Sequence, residues 1–131
     1  MANQESFSQI CRSVCESQGW ELLPTGIVVR WGDGRRQIVS LEFVEHERED
    51  LVRLSTTIGD IRELSKERLA MALRVNAELA HGALAIKYNQ LCMTDTLMLA
   101  DTDPGELEAV VAFLARTADH YEETFFRTDE Y

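Results

Sequence analysis

The chain has 131 residues, 45% of them hydrophobic and 27% charged, the balance of one globular domain with its own core and not of a disordered or fibrous segment. Asp and Glu number 23 against 13 Lys and Arg, for a formal net charge of −10. A field of that sign repels phosphate backbones and anionic lipid, so neither nucleic acid nor a membrane surface is an expected partner.

Phe7, Ile10, Cys11, Val14 and Cys15 recur at helical spacing, which predicts an amphipathic helix over residues 3–18, ended by Gly19. Three β-rich stretches follow. In the first, Trp20 to Trp31, Pro24 and Gly26 confine regular pairing to the second half around Ile27-Val28-Val29. Gly32-Asp33-Gly34 reads as a hairpin turn. Arg35 to Glu45 alternates, with Val39, Leu41 and Phe43 facing one way and Ser40 and Glu42 the other. The charged turn 46–50 leads to a third strand, Leu51 to Ile58. After a helix over 64–81, Ala83 to Tyr88 and Leu91 to Leu99 make a second hairpin around Asn89-Gln90. Asp95 interrupts the apolar face of its second strand, which implies a bulge, an edge or a shorter strand. Asp103, Pro104 and Glu106 then supply an N-cap, a first helical proline and a capping-box glutamate. Leu107, Val110, Val111, Leu114, Ala118, Tyr121 and Phe125 form one stripe down that last helix. The expected fold class is α+β, a five-stranded antiparallel sheet with three helices in the order helix-β-β-β-helix-β-β-helix. Residues 1–126 form a single domain on this reading, and 127–131 a frayed C-terminal tail.

The helix over 64–81 is apolar on too many sides. At roughly 100° per residue, Leu69, Ala72, Leu73, Leu79 and Ala80 share one stripe, the expected core face. Met71 and Val75 extend it on one flank, and Ala70 and Ala77 on the other. Glu67, Arg74 and Glu78 alone mark a wet strip. Such a helix buries two faces, and the simplest second cover is another copy of the chain. Asn76 projects within the apolar arc. An unpaired buried amide costs on the order of 1–3 kcal/mol, so its side chain must bond a strand end, the Gly82 loop, or its twin across a symmetric interface.

Residues that could carry chemistry do not gather in the sequence. Cys11 and Cys15 lie one helical turn apart, but no neighbouring Cys or His completes a metal site, and buried cysteine is ordinarily a small hydrophobe. His46, His81 and His120 are scattered, with no nucleophile motif beside any of them. The run Glu45, Glu47, Glu49, Asp50 lacks the pattern of a calcium loop. No apolar run reaches the roughly 18 residues of a bilayer helix, and Met1-Ala2-Asn3-Gln4-Glu5-Ser6 lacks the features of a secretory signal. The expected location is the cytoplasm, with the three cysteines reduced. No enzyme activity, cofactor or metal is expected. A basic turn at Arg30, Arg35 and Arg36 is the one local exception to the acidic field. A small-molecule site would have to be built from Asn76, Asp95 and Tyr88, and a regulatory subunit of a hetero-complex would dock the apolar helix on a different protein.

Leu73-Arg74-Val75-Asn76, Gly82-Ala83-Leu84-Ala85-Ile86, Leu97-Met98-Leu99, Leu107 and Ala118-Asp119-His120-Tyr121 resemble the pattern of the YbjN and related secretion-chaperone-like families over residues 64 to 125. Element order, small size and acidity resemble the type III secretion chaperone fold of bacteria. The resemblance implies a non-enzymatic protein-binding module acting as a homodimer. Its two-fold interface would use Met71, Val75, Asn76 and Leu79. A client protein segment would lie on apolar patches formed by Val28, Val39, Leu41 and Phe43, or by the exposed side of Phe7 and Ile10.

Overall fold

The computed structural model describes residues 2–32 and 34–127. Helix α1 runs Ala2–Gln18 and stops at Gly19, whose φ of +74° suits a glycine C-cap. Strands β1 (Glu21–Leu23), β2 (Gly26–Trp31), β3 (Arg35–His46) and β4 (Glu49–Asp60) follow, then helix α2 (Lys66–Val75). Strands β5 (Ala83–Lys87) and β6 (Gln90–Met98) and helix α3 (Pro104–Glu122) complete the order. Of the expected tail, Arg127 closes a π-helical turn over Glu123–Arg127, and the rest lies outside the described residues.

All strands join one antiparallel sheet in the order β1-β2-β3-β4-β6-β5. It has six strands, not five. Pro24 does not silence the first half of its stretch. With Thr25 it makes a tight turn, and Glu21–Leu23 folds back on Gly26–Val28 with Leu23 opposite Gly26. The third expected strand is also longer than its apolar core, because charged Glu49 and Asp50 pair with His46 and Glu45. The irregularity expected near Asp95 lies instead in β4, where the register slips between Thr57 and Gly59. Asp95 stays in the ladder opposite Leu54, half-buried, its carboxylate accepting from the Thr96 amide at 2.8 Å.

One face of the sheet carries the core. Val39, Val52, Leu54 and Met93 point into it, met by Phe7 of α1 and by Leu107, Val111 and Leu114 of α3. The other face presents Ser40, Glu42, Arg53 and Thr96, the pattern of an antiparallel sheet wet on one side. Helix α3 begins as expected, Asp103 accepting from the Glu106 amide at 2.7 Å. Its far end is tied twice. Arg35 forks onto Asp119 (2.7 Å) and Glu123 (2.8 Å), and Arg68 donates to the carbonyls of Thr124 (2.7 Å) and Phe125 (2.8 Å).

Helix α2 is capped by Ser65 as expected, but it is much shorter than the apolar periodicity implies. It ends at Val75, tightens into one 3₁₀ turn over Asn76–Glu78, and turns extended at Leu79. Gly82 therefore does not cap it. With φ +66°, Gly82 lets the chain pass under β6, where a Cβ would overlap the Thr94 carbonyl oxygen.

Candidate functional site

Among the described residues, an apolar region is left uncovered toward each end of the sheet. The first lies where α2 meets the edge strand β5. Leu69 and Ala72 turn toward β5, and with Leu84, Ala85, Ile86 and Leu91 they line a groove whose wall is almost wholly apolar. Leu73 was expected in the core; it stands at the rim, 71% exposed. The reason is the position of α2. It borders the sheet beside β5 and buries a narrow row, of which Ala72 is the fully buried member. Ala70 and Ala77, one turn either side of Leu73, keep its surroundings low and apolar. Ile86 is 54% exposed because it lies beyond the reach of the helix, and Tyr88, in the β5–β6 turn at φ +57°, is 89% exposed.

The residues expected at a two-fold interface divide between surface and interior. Met71 is exposed, but about 160° round α2 from Leu73, so it belongs to the opposite flank. Val75 and Leu79 are half-buried and pack against the core. Asn76 makes the first of the contacts left open for it, a tie to a strand. Its Nδ2 donates to the Leu84 carbonyl at 3.1 Å, and its Oδ1 accepts from the Leu84 amide at 2.6 Å. Leu73, Ile86 and Tyr88 are the surface residues that periodicity missed. For Leu73 the available signal was the row of Leu69, Ala72 and Asn76, which lie within about 60° of one another round α2 and leave Leu73 on their flank.

The second region lies between α1 and the β1–β3 end. Phe7, Leu22, Leu23, Leu41 and Phe43 border it with Cys11 and Pro24, and Arg12 and Ser8 stand at its side. Phe43 meets the Phe7 ring edge-on at 5.9 Å and remains 42% exposed. Of the residues expected to hold a client, Phe7, Val28 and Val39 are fully buried in the fold, and Ile10 and Leu41 are half-buried. Phe43 and Leu22 are the members that face outward.

The small-molecule alternative finds little to build on. Asn76 uses its donor and acceptor on Leu84, Tyr88 projects from a turn, and Asp95 lies five residues along β6 from that turn, roughly 17 Å at 3.4 Å per residue. Among the described residues no three His, Cys, Asp or Glu side chains gather as a metal site. Cys11, Cys15 and Cys92 are buried and free, and burial, with Cys15 nearby, pushes the Cys11 thiol up to about 12. The basic turn is largely neutralised, with Arg30 on Glu21 at 3.1 Å and Arg35 on Asp119 and Glu123. No described helix is long and apolar enough to cross a membrane.

No protein-family model matches the chain, and no curated protein does. The likeness to the YbjN group therefore rests on the motif residues alone. Solved structures do match. The Yersinia pestis type III secretion chaperone SycH, solved in complex with a stable fragment of YscM2, superposes with a TM-score of 0.59 at 16% identity, over 91% of this chain and 98% of that one. The chaperone–effector complex of HopA1 and SchA contributes a second match, with a TM-score of 0.57 at 11% identity, over 91% of each chain. At these identities the likeness is one of fold, and the fold is that of the type III secretion chaperones.

Proposed function

We propose that this protein is a non-enzymatic binding module that pairs with a second copy of itself through the α2–β5 face and holds a segment of a client protein in the α1–β1–β3 groove. The observation that carries the reading is Leu73, an aliphatic side chain 71% exposed beside an apolar groove that its own chain leaves unfilled. A ridge and a groove side by side on one surface are what an isologous interface requires, since each copy can offer its ridge to the other's groove. Of the four residues expected there, Val75, Asn76 and Leu79 shape the face from behind, and Met71, on the opposite flank of α2, takes no part in it. Charge favours the same place. In a chain of net −10, Lys66, Arg68 and Arg74 outweigh Glu67 and Glu78 by one along α2 and the turn after it, so like-charge repulsion between two copies is low there.

Client holding is supported by the fold and by the exposed aromatic in the second groove. SycH and SchA are both solved with protein partners, one a fragment of YscM2, the other the effector HopA1. By the same reading Phe43 and Leu22 contact the client, Leu41 lines the floor, and Phe7 and Val39 support them from the core, while Ile10 lies outside the groove lining and Val28 on the other face of the sheet. Sedimentation equilibrium tests the pairing: a dimer is expected at micromolar concentration, and a monomer there ends this part of the reading. Copurification from the native cell with mass spectrometry names the client. The client should be lost from a Leu22→Ser/Phe43→Ser double variant that remains folded, and undiminished recovery places the client elsewhere.

A further inference from the structure

We infer that Asn76 closes the β5 edge of the sheet to strand addition, so that a second copy seated on this face docks through side chains and not by extending the sheet. The choice of occupant rests on the function proposed above; the closure of the edge does not.

Strand β5 is an edge that needs closing. Its one charge, Lys87, stands at the far end, and Ala83-Leu84-Ala85-Ile86 before it carries neither charge nor proline, a composition that pairs readily with an extended chain. In an antiparallel ladder alternate residues turn their N–H and C=O toward the partner and away from it. Asn76 bonds both groups of Leu84, so Leu84 is an outward-facing residue, and by alternation Ile86 is the other. Beyond it the chain enters the Tyr88-Asn89 turn. An asparagine side chain sets an N–H donor beside a carbonyl acceptor, the same pair of groups that a residue of an incoming strand would offer. Asn76 therefore occupies the place of that strand at Leu84 and leaves the backbone of Ile86 alone on the open edge. One residue's pair does not hold a strand. What remains usable on this face is the surface of Leu73, Ile86 and the groove between them, which fits the side-chain ridge of another α2.

Hydrogen exchange on the wild-type chain reads the closure directly. The Leu84 amide is expected to be protected on the order of 100-fold more than the Ile86 amide, at concentrations below and above any self-association. Equal protection of the two at high concentration means that a strand pairs along β5, and overturns the inference. A second arm uses a fluorescent peptide of residues 81–90 as the incoming strand. Wild type should not bind it, and Asn76→Ala should bind it saturably. Asn76→Ala/Ile86→Pro should lose it again, because a proline there removes an outward amide without touching the β6 ladder. Binding to wild type, or binding that survives Ile86→Pro, refutes the closure. If Asn76→Ala does not fold, the exchange measurement still decides. A wild type that is monomeric throughout, yet protects Leu84 and not Ile86, removes the proposed pairing and leaves the closure standing.

Discussion

Replacing Leu73 with serine separates self-association from folding, because the side chain does little for its own chain. At 71% exposure it has most of its surface still to bury. Burying a whole leucine contributes about 1.5–3 kcal/mol, so roughly 1–2 kcal/mol is available from the exposed part. Two-fold symmetry counts it twice, giving about 2–4 kcal/mol per dimer. At 1.4 kcal/mol per decade the dissociation constant of Leu73→Ser should rise roughly 30- to 1000-fold. The monomer's own stability should move by no more than about 0.5 kcal/mol, as for other surface changes away from caps and cores. Sedimentation equilibrium over two decades of concentration measures the first quantity, and urea unfolding of the dilute protein measures the second. A dimer whose affinity is unchanged by Leu73→Ser refutes the assignment of the face. A monomer destabilised by 2 kcal/mol or more would mean that Leu73 is a core residue after all.

The fold makes further demands. Gly82→Ala should cost about 3 kcal/mol or more in urea unfolding, since it combines a positive φ with a Cβ driven into the Thr94 carbonyl. Arg68→Met should cost about 1.5–3 kcal/mol by leaving the half-buried carbonyls of Thr124 and Phe125 without their charged donor, whereas Arg35→Ala, whose ion pairs are exposed, should cost under about 1 kcal/mol and less still in high salt. Native Cys11 should resist iodoacetamide at pH 8 until urea opens the chain, because its folded thiol ionises only near 12. The same shift sets a sign with pH. The unfolded thiol ionises first as pH rises through its ordinary 9.0, so the stability it confers is whole below that value and falls between about 9 and 12. Urea midpoints measured from about pH 8 to 11 should therefore drop more steeply in the wild type than in Cys11→Ala.

What could be read before the structure was whatever a few neighbouring residues decide together. Asp103-Pro104 with Glu106, Ser65 before α2, and Gly19 after α1 fix helix ends through local hydrogen bonds and φ, and each sits where its chemistry requires. Asn76 was legible for a similar reason: a lone amide in an apolar row must find a partner, and a strand was among the few on offer. The failures share another cause. Periodicity gives the angle of a side chain round a helix axis but not which angle the rest of the fold covers, so Leu73 passed for core and the apolar residues after Val75 passed for a continuation of the helix. Beyond Val75 those residues serve the 3₁₀ turn and the return to β5. Likewise Val28, Val39 and Phe7 have the same apolar character as Phe43, and only the position of α1 over the sheet decides that Phe43 is left half outside.

The two faces also stand in a defined relation. Phe43 on β3 lies three inter-strand steps of about 4.8 Å from β5, or roughly 14 Å, and its register through Val52 to Leu97 sets it six residues, about 20 Å, along the sheet from Ile86 opposite Leu91. Side chains at Leu73 and at Phe43 cannot touch a common ligand segment of a few residues across that span, and the sheet between them is one hydrogen-bonded ladder broken only by the register slip in β4. Pairing at β5 and client holding near β1 are therefore expected to be thermodynamically independent for a client that occupies one groove. A client long enough to reach the grooves of both copies behaves differently, because its second contact becomes intramolecular and its apparent affinity rises without any new interaction. The Leu73→Ser monomer should accordingly hold a short client peptide as tightly as the wild type does and a long client less tightly. Equal weakening for both would mean that the groove at β1 is itself completed by the second copy.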